Sequence, residues 1–119
     1  MQELMNRVGE TGQDNLIAGV FPPAEITGIK IAAGQGQLLR GTVLAASDAG
    51  CVVLSAATTG KATYILTDDV DAAEAVGTTA YRAGCFNTKA LIVAEGYELT
   101  EADRDSLRKY RIVLNDNMQ

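Results

Sequence analysis

The chain has 119 residues, about the length of one domain, with 47% hydrophobic residues, 15 acids against 10 bases and a net charge of −5. That balance disfavours a surface made to neutralise phosphates, whether of nucleic acid or of an anionic membrane. No histidine occurs, which removes the commonest general base, the usual catalytic triads and most transition-metal sites.

The start, MQELMNRVGETGQDN, lacks the basic start and apolar block of a secretory signal. No apolar run nears the roughly 20 residues of a membrane helix, so cytosolic synthesis is expected. Residues 1 to about 14 are polar and without sustained periodicity, which reads as an extended arm. Leu16, Ile17, Val20 and Phe21 form an apolar patch that Pro22 and Pro23 terminate, because two prolines force an extended backbone. Residues 1–23 are therefore expected to be an extended arm contributing little to the core, and 24–119 a single β-rich domain.

In Glu25–Ala33, Ile29 and Ile31 alternate with Lys30, the pattern of a half-buried strand. Gly34-Gln-Gly36 turns the chain, and Gln37–Ala45 reads as one strand with Leu39 and Val43 on one face. After the turn Ser47–Gly50 comes the short apolar run Cys51–Leu54, and after the turn Thr58–Gly60 the strand Thr63–Leu66. The acidic stretch Thr67–Asp71 reads as a solvated loop, and Thr78–Phe86 alternates as a strand. One helix is expected late. Thr100 can cap it, acids occupy its first half and Arg108 and Lys109 its end, complementing the helix dipole. Ala102, Leu107 and Tyr110 give it an apolar face, Asp105 and Lys109 a favourable i,i+4 pair, and Ile112–Leu114 returns as a last strand. Many short strands with one terminal helix indicate a compact, mainly β domain.

Candidate chemistry is sparse. Gly34-x-Gly36 lacks the third glycine and the following helix of a dinucleotide loop. Gly60-Lys61 lacks the upstream glycine and the following hydroxyl residue of a phosphate loop. Asp68, Asp69 and Asp71, with Glu74 nearby, are the one carboxylate cluster, but the turn glycine and distal glutamate of a calcium loop are missing, so no metal is expected there. Cys51 and Cys85 are too few for a disulfide framework or a thiolate zinc site, and both adjoin apolar residues, so reduced, unpaired thiols are expected. No cofactor is expected, and an enzyme is disfavoured.

Four segments change what the sequence says about function: Asn15–Pro22, Leu39–Leu44, Ile65–Ala72 and Gly84–Leu91, the last reading Gly-x-Phe-Asn-x-x-Ala-Leu. In order and spacing they resemble the phage head decoration protein D family, and Leu107 to Ile112 resembles that family's closing helix and strand. The resemblance covers about residues 15 to 114 and departs at the Cys51–Val53 run and in a shorter central loop. It implies a β-clip-like small domain with an extended N-terminal arm and one short C-terminal helix. It further implies a homotrimer on the outer surface of an expanded phage head, bound to the major capsid protein and holding it against the pressure of packaged DNA. By position, Asn15, Leu16, Ile17, Val20 and Phe21 match the arm residues that contact the capsid. No direct nucleic-acid or membrane partner is implied. Two other readings stay open: another small phage structural protein, of the head-completion or tail-tube kind, and a trimeric β-clip nucleotide hydrolase of the dUTPase kind. The residues show none of the latter's motifs.

Overall fold

The computed structural model describes residues 16–19 and 22–116. Among them run β1 (Ile17–Gly19), β2 (Glu25–Ile31), β3 (Gly36–Leu38), β4 (Val43–Ala45), β5 (Val52–Val53), β6 (Ala62–Leu66), β7 (Val70–Ala72) and β8 (Val76–Asn87), then the helix α1 (Glu101–Lys109) and β9 (Ile112–Asn115). The domain is mainly β with one short helix near its C-terminus, as expected.

The long strand β8 organises the sheet. Its residues from Val76 to Ala83 pair antiparallel with β2 (Ile26 opposite Tyr81, Ile31 opposite Val76), and Ala80 and Tyr81 pair antiparallel with β6 (Ile65 opposite Tyr81). Its last residues pair antiparallel with β1 (Ile17 opposite Phe86) and parallel with β9 (Gly84 opposite Ile112). From β6 the sheet continues through β4 to β5, while β3 and β7 form a separate two-stranded sheet.

Apolar residues lie on both sides of the β4–β6 region. Val43, Ala45 and Ile65 join Leu16, Leu54, Tyr81, Phe86, Leu107 and Ile112 in one cluster, while Leu44 and Leu66 join Ile31, Leu38, Cys51 and Ala72 in another. A strand covered on both faces reads as a continuous apolar run rather than an alternation, which is what Val43-Leu-Ala45 and Ile65-Leu66 show. Half-buried β2 alternates as expected.

The single strand expected over Gln37–Ala45 is instead two, β3 and β4, pairing with different partners. Gly41 takes a φ of 97°, and the Thr42 hydroxyl donates to the Leu39 carbonyl at 2.6 Å. A local turn thereby replaces ladder bonds. The acidic stretch read as a loop also differs, since β7 runs through it, with Asp71 opposite Gln37.

The helix is capped as expected. Thr100 Oγ1 accepts from the Asp103 N–H at 3.2 Å while the Asp103 carboxylate accepts from the Thr100 N–H at 2.9 Å, a reciprocal cap. Its packing face differs: Asp103, Ser106 and Leu107 are buried, whereas Ala102 and Tyr110 are exposed. Leu107 alone supplies large apolar contact. Ser106 instead donates to the Ala62 carbonyl at 2.7 Å, tying the helix to β6. Asp105 pairs with Arg108 at 2.8 Å rather than with Lys109, and Arg104 reaches Asp116 at 3.1 Å.

Candidate docking surface

Of the residues expected in the arm's contact set, Asn15, Val20 and Phe21 lie outside the described residues. Leu16 and Ile17 are placed, and they differ in kind. Leu16 is 1% exposed and packs in the first core cluster; its carbonyl accepts from the Asn87 N–H at 2.8 Å. Ile17 is 38% exposed, on the strand that follows. Leu16–Gly19 thus belong to the folded domain, contrary to the expectation that the whole arm contributes little to the core. The reason is periodicity: alternate residues of a strand face opposite ways, so Leu16 goes inward and Ile17 stays accessible.

The family-like segment Gly84–Leu91 is a structural device. Gly84 adopts a φ of 148°, and a Cβ there would come within 2.9 Å of the Phe86 ring. With this kink and a register shift that leaves Arg82 as an extra residue in β8, Tyr81 and Phe86, five positions apart on one strand, both reach the same cluster with ring centroids 5.2 Å apart. Asn87, buried at 1% exposure, accepts from the Lys89 N–H at 3.0 Å and starts a 3-10 turn over Thr88–Ala90.

The acidic cluster is likewise partly structural. Asp69 accepts from the Arg40 N–H at 2.8 Å and Asp71 from the Ala73 N–H at 3.1 Å. The Arg40 guanidinium donates to the Thr67 carbonyl and the Tyr81 hydroxyl, both at 2.9 Å. Among the described residues no three His, Cys, Asp or Glu side chains converge as a metal site would require.

The most polar buried knot centres on Asp103, which is 0% exposed. It accepts from the Tyr97 hydroxyl, the Thr100 N–H and hydroxyl, and the Gly60 N–H at 2.7 Å. Burial pushes its carboxyl up, but those four donors outweigh it and hold the pKa below the ordinary carboxylate value. Its partners are all internal, so the knot fastens α1 to the turn before β6.

A surface feature missed in the sequence lies where β2, β8 and β9 converge. Glu25 pairs with Arg82 at 3.3 Å and with Arg111 at 3.7 Å. These three, with Thr27, Tyr64 and Tyr110, help line an open cleft of about 370 Å³. Tyr110 is 50% exposed and Val113, opposite Cys85, is 40% exposed. Arg82 and Arg111 are 60% and 61% exposed, so pairing with Glu25 contributes at most about 1 kcal/mol. Two cations on one carboxylate leave a positive charge uncompensated. Arg111 also has a φ of 68°, the one positive value among described residues other than glycine. It stands just past the helix, where glycine is the usual choice. No spacing rule joins residues 25, 82 and 111, because strand register brings them together; the one local hint was an arginine where a helix normally ends in glycine.

The geometry describes a small, mainly β structural domain that presents exposed apolar and charged faces around a tied-down helix. Comparison of the whole chain with family models makes this specific. Residues 12–112 match the model of bacteriophage lambda head decoration protein D, and the chain belongs to that family. A comparison with curated proteins returned no match. Membership makes capsid decoration on a phage head the chain's role and the virion capsid its place. No helix among the described residues is long and apolar enough to cross a membrane.

Proposed function

We propose that this protein assembles as a homotrimer on the outer surface of an expanded phage head, binding the major capsid protein where its subunits meet and holding the shell against packaged DNA. The observation that carries the reading is the family match across residues 12–112. A closed three-fold assembly suits such junctions, and a β-clip-type domain suits the mainly β fold. The role requires no cofactor, metal or catalysis.

Attachment is assigned to the segment Asn15–Phe21. Within it Leu16 roots the segment in the core, leaving Ile17 and the residues around it, Asn15, Val20 and Phe21, to meet the capsid. Each apolar side chain buried there contributes about 1.5–3 kcal/mol. Ordering each backbone residue costs about 1–2 kcal/mol, so a single segment binds modestly and three on one trimer bind as a unit. The test is Ile17→Asp, a change at an exposed site, compared with the wild type by thermal melting and by co-sedimentation with expanded heads. Normal melting with lost sedimentation is expected; undiminished decoration by the variant refutes the assignment.

A further inference from the structure

We propose that the Arg82–Arg111 cleft is a docking surface for the acidic segment Asp68–Glu74 of a second copy of this chain, giving a head-to-tail contact. The proposal rests on the trimeric reading only for closure of the contact into a ring. The cleft carries two arginines against one carboxylate, with exposed Tyr110 and Val113 beside it. Exposed tyrosine and arginine at a concave site are the composition of protein-binding surfaces. Arg111 holds a strained backbone for a surface pair that returns little stability, so its side chain is better accounted for by a contact outside the chain.

The complementary chemistry is on the chain itself. Asp68, Asp69, Asp71 and Glu74 lie exposed, four acids beside one base, Arg40, whose guanidinium donates to the Thr67 carbonyl and the Tyr81 hydroxyl. None of them lines the chain's own cleft. Glu74 leads into the Val76 end of β8, whereas Arg82 lies toward the other end, next to the pairing of Glu25 with Ala83. Two complementary patches on separate parts of one subunit make a heterologous contact, which closes when the rotation between copies divides the circle. Arginine pairs with carboxylates in a planar fork, giving such a contact its register.

Two measurements on the full-length chain test this. In the first, isotope-labelled protein is titrated with a peptide of sequence Thr67–Ala75. Amide shifts at Arg82, Tyr110, Arg111 and Val113 are expected, absent in the Arg82→Glu/Arg111→Glu variant. In the second, self-association up to millimolar concentration is followed by sedimentation. The same double variant, and separately Asp68→Lys/Glu74→Lys, should each weaken association at least tenfold, and all four changes in one chain should restore it. Asp69 and Asp71 are left intact because they hold the Arg40 and Ala73 amides. Thermal melting confirms that the exposed substitutions leave the fold intact. Peptide shifts confined elsewhere, association insensitive to charge reversal, or no association at millimolar concentration would each overturn the proposal. Head co-sedimentation reports on decoration independently, so a chain that self-associates this way yet ignores heads would overturn only the decoration reading.

Discussion

Arg111 and Asp103 show how differently single residues are used in this domain. A left-handed, non-glycine backbone costs on the order of 1–3 kcal/mol, while glycine would lose roughly 0.5–1 kcal/mol through a freer unfolded chain. Arg111→Gly is therefore expected to leave stability unchanged or raise it by up to about 1 kcal/mol, measured by urea unfolding. A clear loss would mean that the side chain supports the fold. Asp103 is the opposite case, a charge used inward. Its folded pKa is depressed, so its contribution is present above the unfolded carboxylate value of about 4. That contribution is lost as pH falls through the lower folded value. Asp103→Asn should cost about 1.5–3 kcal/mol at neutral pH, and its melting temperature should fall less steeply than the wild type's below about pH 4. Parallel acid limbs would rule out Asp103 as the group responsible.

At the level of elements, legibility followed the number of exposed faces. β2 and α1 were readable because each has one wet side: Ile29 and Ile31 alternate with Lys30, and Thr100 and Asp103 mark the helix start. Strands β3 and β4 were fused because Leu38, Leu39, Val43 and Leu44 are all buried, which erases the period that locates a break. Strand β7 was missed because Asp71 is exposed in a run that looks solvated. The helix's buried face was misread because two of its three buried residues are polar and are satisfied by distant partners, Gly60 and Ala62. Gly84→Ala is expected to destabilise by about 1–3 kcal/mol, because the kink and the Phe86 ring both oppose a Cβ. Chemical unfolding measures it, and a neutral result would show that β8 can straighten. Leu16→Ala should cost about 2–5 kcal/mol, whereas Ile17→Ala, on the exposed neighbour, should cost far less. Equal losses would contradict the inward–outward division of β1.

For the whole molecule, the family pattern was legible because it resides in short local segments such as Gly84–Leu91, whereas the arginine cleft was not, because it is assembled by pairing. The two thiols also separate at this scale. Cys51 sits in the second core cluster at 5% exposure, and burial pushes its pKa up, while Cys85 is half-buried beside Gly19. A maleimide should modify Cys85 well before Cys51 in native protein, and the reverse order by mass spectrometry would contradict that placement. The four partners of β8 carry a final implication for time. Ile17 must find Phe86, about seventy positions along the chain, and β9 follows β8 later still. Pairings of such long range close late, since chain entropy must be spent before they repay it. On the ribosome, β1 therefore has no site to join until β8 has emerged. Fixing of Leu16 and β1, the root of the proposed attachment segment, thereby becomes a late event, after most of the body that carries it has been synthesised.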